Sequence, residues 1–186
     1  MKVVLEPYVA LVPCPVVLVT VVGKSGRPNI ITLAWAANLC SEPPIVGISV
    51  RPSRFSYHLL REVTEFVVNI PSTGLKRQVE WCGANSGRGF DKFAATDLTP
   101  VPASLVLPPL VGECPLNLEC RVLQIIPLGS HDLFLGEVLK VHLDQECCTQ
   151  AGKLDLLKLK PLAFVPGDRY YGLQELPASS QSPSSG

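Results

Sequence analysis

The stretch Val16-Val17-Leu18-Val19-Thr20-Val21-Val22-Gly23-Lys24-Ser25-Gly26-Arg27-Pro28-Asn29-Ile30-Ile31-Thr32-Leu33-Ala34 decides the fold. Val16 to Val22 is β-branched and almost continuously apolar, the signature of a strand buried on both faces. Gly23 to Pro28 is turn chemistry, and Asn29 to Ala34 returns as a second strand, so 16–34 reads as a β-hairpin. Upstream, Pro7, Pro13 and Pro15 limit residues 5–15 to a short helix at most, followed by an extended entry. Downstream, after Ser41-Glu42-Pro43-Pro44, Ile45 to Val50 is a third strand. The period then changes over residues 53–62, where Phe55, Leu59 and Leu60 share one helical face and Ser53 or Ser56 can cap the start.

Glu65 to Ile70 is a fourth strand, stopped by Pro71. Leu75 to Trp81 and Phe90 to Ala95 read as short helices, and residues 98–115 as proline-rich and irregular. Leu116 to Pro127 and His131 to Leu143 are two long strands joined at Leu128-Gly129-Ser130, with a last strand at Leu162 to Val165. Strands dominate, and they pair through hairpins rather than through the regular strand–helix alternation of a parallel sheet. A closed antiparallel barrel would leave none of this hydrophobic β structure with an open edge. The expected organisation is one domain over residues 1–176 and a disordered Pro/Ser/Gly/Gln tail over 177–186.

Composition narrows the function classes. The chain has 186 residues, enough to bury a sizeable core. The apolar fraction is 47% and mean hydropathy +0.29. Even so, the longest apolar run, Val16 to Val22, falls far short of the ~20 residues a bilayer span needs. Lys+Arg and Asp+Glu are both 16, so the basic footprint of a nucleic-acid binder is absent. The opening Met1-Lys2-Val3-Val4-Leu5-Glu6-Pro7 does not read as a secretion signal. Seven cysteines, without a Cys-x-x-Cys pair, read as free thiols in a reducing cytosol.

Three segments combine hydroxyls, cations and aromatics at strand ends. In the first, Asn29 and Thr32 can hydrogen-bond an amide-bearing ring that Trp35 walls, or they simply face water from a half-exposed strand. In the second, Ser49-Val50-Arg51-Pro52-Ser53-Arg54-Phe55-Ser56-Tyr57, a strand ends at a cation and a helix begins with hydroxyls. Free N–H groups and the positive helix end suit such a junction to phosphate, with Arg51 or Arg54 as a fork and Ser56 as a hydroxyl; the alternative is a capped helix with solvated arginines. In the third, Cys82 to Phe93, glycines allow close backbone approach and Lys92 can neutralise a phosphate. That segment matches neither a Walker loop nor a dinucleotide fingerprint, which argues against a Rossmann domain.

Taken in order, these segments resemble the flavin reductase-like, flavoredoxin-type family with an FMN-binding split barrel. The resemblance rests on Leu18-Val19-Thr20, Gly26-Arg27-Pro28-Asn29, Ala34-Trp35 with Ser41-Glu42-Pro43-Pro44, and Arg51 to Tyr57. It continues through Glu65 to Pro71, Cys82-Gly83 with Ser86-Gly87, Asp91-Lys92-Phe93, Glu119-Cys120, and His131 with Gly136-Glu137-Val138, spanning roughly residues 8–172. It implies a six-stranded Greek-key barrel that dimerises, with one FMN per subunit near the dimer interface. Asn29, Thr32 and Trp35 would lie along the isoalloxazine, and Ser49 and Val50 would offer main-chain groups. Arg51, Ser56 and Lys92, with Arg54, Ser86 and Asn85 nearby, would hold the phosphate. His131 and Phe164 would close the site, bordered by Tyr170 or Tyr171.

The resemblance implies an NAD(P)H-dependent flavin reductase passing hydride from a nicotinamide (NADH or NADPH) to flavin N5. The alternatives are a flavoredoxin exchanging electrons with iron–sulfur or haem proteins, and a flavin-binding module without turnover. No metal site is expected, and the chemistry belongs to the flavin rather than to a catalytic side chain. His58 and His142 read as surface residues, and Cys82 as a buried structural thiol.

Overall fold

The computed structural model describes residues 1–167 and 169–176. The tail expected over 177–186 lies outside the described residues. The hairpin read at 16–34 forms as β2 (Val17–Val22) and β3 (Pro28–Leu33), paired from Val17↔Leu33 to Val22↔Pro28. Its turn closes through Gly26, whose φ of 75° is the left-handed conformation glycine adopts freely and whose N–H donates to Gly23 O at 2.9 Å.

Every residue of β2 is buried, because its two faces serve two cores. Val17, Val19 and Val21 pack with Ile48, Val50, Tyr57, Leu60, Phe66 and Phe134 inside the sheet. Leu18, with Val16 and Ile30, packs instead against Val79, Cys82, Phe93, Leu98 and Val111 on the outer side. Each such aliphatic side chain contributes roughly 1.5–3 kcal/mol by leaving water, so a polar residue at Val17, Leu18, Val19 or Val21 would cost one core or the other; buried Thr20 is accommodated because its hydroxyl donates to Pro109 O.

The main sheet runs β3-β2-β6-β9-β10-β5-β4, all pairs antiparallel, with β6 at Glu65–Ile70, β9 at Leu116–Pro127, β10 at Asp132–Leu143 and β5 at Pro44–Val50. The sheet therefore has seven strands where six were expected. The additional strand is β4 (Ala36–Ser41), a mostly exposed segment that the sequence did not mark as a strand. Main-chain pairing with β5 holds it, around a bulge between Asn38 and Cys40. The terminal strands β3 and β4 are joined by only Ala34 and Trp35. A flat sheet of this width would separate them by roughly 29 Å, whereas that link reaches about 11 Å at most. The sheet must curl into a barrel. The long-range pairings β2–β6, β6–β9 and β10–β5 are the returning connections of a Greek key.

The segment read as irregular, 98–115, contains a small pair, β7 (Pro100–Val101) and β8 (Leu110–Val111). Buried polar groups pin it to the barrel. Asn69 Oδ1 accepts from Val111 N at 2.9 Å and from Asn117 Nδ2 at 2.8 Å. Glu119, fully buried, accepts from the N–H groups of Ser104, Leu105 and Val106 at 2.9, 2.6 and 3.2 Å. Its fourth partner is His142 Nε2 at 2.5 Å. His142 is thus half-buried and paired, not solvated as its place near a strand end implied; His58 is exposed.

Helices α1 (Phe55–Val63), α2 (Lys76–Ala84) and α3 (Lys92–Thr96) follow the sequence reading within a few residues at each end. A short α4 (Leu156–Leu159) lies in a stretch without a legible period. Beside it, β11 (Leu162–Phe164) pairs with β1 (Cys14–Pro15) and β12 (Tyr170–Gly172). The entry over residues 5–13 contains no helix. All seven cysteines are free.

Candidate functional site: a cationic cleft at the barrel rim

A cleft of about 530 Å³ opens where β3, the end of β5, the start of α1 and the loop after α2 converge. Asn29, Thr32 and Trp35 line it from β3 and its exit, Ser49 and Arg51 from the end of β5, and Arg54 and Ser56 from the start of α1. Ser86, Lys92, His131 and Phe164 complete the lining. The local reasons are legible. Pro52 ends the strand, and Arg54 takes an extended conformation (φ −76°, ψ 140°) as the residue preceding α1. No side chain caps that helix start; Tyr57 N–H donates to Arg54 O at 3.1 Å, and the N–H groups of Phe55 and Ser56 are left at the helix start without a side-chain partner.

Val50, expected to offer main-chain groups, is not among the residues lining the cleft, and its side chain points into the barrel core, 0% exposed; strand alternation sends it opposite to Ser49 and Arg51. Tyr170 and Tyr171 are also absent from the lining, and Tyr170 instead packs on Phe164 with ring centroids 5.1 Å apart. Some expected donors are already committed. Ser49 N–H donates to Trp35 O at 3.0 Å, Thr32 Oγ1 to Val79 O at 2.7 Å and Asn85 Nδ2 to Trp81 O at 2.9 Å.

Electrostatics set the cleft apart. Among the described residues, Arg51, Arg54, Arg88 and Lys92 line it, and no aspartate or glutamate does. Among the described residues, none of these cations forms an ion pair. Arg88 was missed from sequence; its only signal was a cation between Gly87 and Gly89. Lys92 is the deepest, 4% exposed, and its Nζ donates to Cys82 O at 2.6 Å. Burial lowers its amine pKa below the usual lysine value; the Cys82 thiol opposes the shift and the Arg54 cation adds to it. Cys82 itself is buried, and that burial raises its thiol pKa.

The rings of Trp35 and His131 meet with centroids 4.4 Å apart at 51°. His131 Nδ1 sits 2.9 Å from Ser130 Oγ. Burial, then Arg51, then Arg54 lower the imidazole below its ordinary pKa of 6.5, disfavouring its charged form. The glycine-rich loop fits tightly here: a Cβ on Gly87 would stand 2.0 Å from Asn29 Oδ1.

A curled antiparallel barrel with a cationic cleft and an aromatic pair at its rim is a split-barrel protein. The family follows from comparison: the chain belongs to the flavin reductase-like family, whose "Flavin reductase like domain" model matches residues 9–171. The solved flavoredoxin of Desulfovibrio vulgaris (Miyazaki F) is 35% identical, with a TM-score of 0.91 over 98% of this chain and 99% of that one. An uncharacterized protein of Pyrococcus abyssi is 32% identical over 171 residues, 92% of this chain and 96% of its own length. An NADH:riboflavin 5'-phosphate oxidoreductase of Streptomyces pristinaespiralis is 27% identical over 129 residues, 68% of this chain and 69% of its own. Among the described residues, no helix is long and apolar enough to cross a membrane.

Proposed function

We propose that the cleft binds FMN and that the protein is an NAD(P)H-dependent flavin reductase. The observation that carries this reading is the gathering of Arg51, Arg54, Arg88 and Lys92 in one cleft, lined by no carboxylate among the described residues, with the Trp35–His131 pair. A ligand matching both features has an anionic end and a flat aromatic body. FMN has both, and the resemblance to an NADH:riboflavin 5'-phosphate oxidoreductase supports it.

In this reading Arg51, Arg54, Ser56 and Lys92, with Ser86, hold the phosphate. Thr32, Trp35 and His131 border the ring, and Phe164 closes the far side. Bound FMN supplies an N5 that accepts hydride from a nicotinamide. The chain binds and orients, and its cations favour negative charge in the cleft. Among the described residues no carboxylate lines the cleft to act as a base, and hydride transfer requires none. Residues 1–176 form the FMN-binding unit. A cytoplasmic homodimer is part of the proposal, supported by exposed Leu39 on the edge strand and Leu123 on β9.

The test is an absorption spectrum of the purified protein, repeated after anaerobic addition of NADH and, separately, NADPH. Copurifying or added FMN is expected to bind, and one nucleotide to bleach it. Absence of binding overturns the reading. The likeness to a flavoredoxin, 35% identical with a TM-score of 0.91, favours a second reading: an electron-transfer protein serving iron–sulfur or haem partners. Bleaching by a reduced protein donor and by neither nucleotide selects it.

A further inference from the structure

We infer that Asn29 is a positioning residue for the anion end of the cleft, holding the Ser56 hydroxyl so that its proton faces the bound anion. The inference rests on the FMN reading above and departs from a role for Asn29 along the flavin ring. Asn29 and Ser56 lie on β3 and in the first turn of α1 and are 4% and 2% exposed. Asn29 Nδ2 donates to Ser56 Oγ at 2.7 Å.

An amide NH2 can only donate, so the serine oxygen is the acceptor in this bond and its own hydrogen remains unspent. Among the described residues Ser56 Oγ has no other hydrogen-bond partner. Ser56 lines the cleft at the start of α1, where no side-chain cap takes up the first-turn N–H groups. The Ser56 hydroxyl proton, with its oxygen held by Asn29, and the N–H groups at the helix start form one set of donors, the chemistry an oxyanion takes. The oxygen end of the Asn29 amide stands where a Cβ on Gly87 would collide with it. Asn29 therefore ties strand to helix through its Nδ2 at the point where the donors converge, with the glycine-rich loop packed against its oxygen.

FMN and riboflavin differ only in the phosphate, so the ratio of their dissociation constants isolates that end. Flavin binding is measured by fluorescence for the intact chain, Asn29→Ala, Ser56→Ala and the double variant. Each single substitution is expected to cut the preference for FMN roughly tenfold, and the double variant to lose no more than Ser56→Ala alone. In the unsubstituted protein, the Asn29 side-chain amide NMR resonance is expected to move with inorganic phosphate and to stay with riboflavin. This second measurement decides the matter if Asn29→Ala fails to fold. Equal weakening of both flavins by Asn29→Ala, additive losses in the double variant, or a resonance that moves with riboflavin alone each overturns the role of Asn29. The phosphate reading survives those results provided Ser56→Ala still loses the preference. A full preference retained by Ser56→Ala places the phosphate elsewhere and overturns both.

Discussion

The ammonium of Lys92 and the main-chain oxygen of Cys82 stand 2.6 Å apart, closing the base of the glycine-rich loop. A buried ammonium carries three donors, and the single hydrogen bond to Cys82 leaves the others for a ligand in the cleft it lines. Lys92→Met, which keeps the stem and removes the charge, is expected to weaken FMN binding by about 1.5–3 kcal/mol. Fluorescence titration checks it, and an unchanged dissociation constant removes Lys92 from the site.

Glu119 supplies a pH dependence. Burial opposes its charge, but hydrogen bonds from His142, Ser104 and Leu105 outweigh that opposition and hold its pKa below the ordinary 4.5. A depressed folded pKa means the stabilisation is present above the unfolded value and is lost as pH falls through the folded one. Urea unfolding should therefore show stability declining below about pH 4.3. Glu119→Gln, which weakens the grip on residues 104–106, should lose about 1.5–3 kcal/mol at pH 7 and flatten that decline.

Two glycines give opposite outcomes. A Cβ on Gly136 would stand 2.3 Å from Phe66 Cζ, inside the barrel core where Phe66 is fully buried. Gly136→Ala should destabilise by about 1–3 kcal/mol through overpacking. At Gly89 nothing lies within 4 Å of such an atom, so Gly89→Ala should stay within about 0.5 kcal/mol. Thermal unfolding of the two variants side by side measures the contrast.

His131 should titrate below 6.5, held there by burial, Arg51 and Arg54 in that order. Removing a neighbouring positive charge favours the imidazolium, so Arg51→Gln is expected to raise the His131 pKa toward its ordinary value. A proton NMR titration of the imidazole follows it. No upward movement would place Arg51 outside the field that His131 feels.

Much of this molecule could be read along the chain. The largely β-branched, nearly continuous apolar run at 16–22 required two buried faces, and the turn residues at 23–28 required a return. The two long strands 116–127 and 131–143 announced themselves by length and by a Gly-Ser turn. Strand β4 could not be read. Ala36-Ala37-Asn38-Leu39-Cys40-Ser41 is exposed and unpatterned, and only pairing with β5 makes it a strand. The two-residue strands β1, β7 and β8 are equally silent, since pairing with distant segments defines them.

Within the cleft, the residue types were legible and their partners were not. Arg51, Ser56 and Lys92 could be chosen because cations and hydroxyls at strand and helix ends are what an anion needs. Local sequence alone determined these elements and this supply of donors, because hydrophobic period and turn chemistry act over a few residues. The tertiary structure alone decided that Val50 turns inward, that Thr32 gives its proton to Val79, that Arg88 joins the cleft and that Asn29 meets Ser56. Those outcomes depend on which segments the closed barrel brings within hydrogen-bond reach, a distance no single stretch of chain encodes.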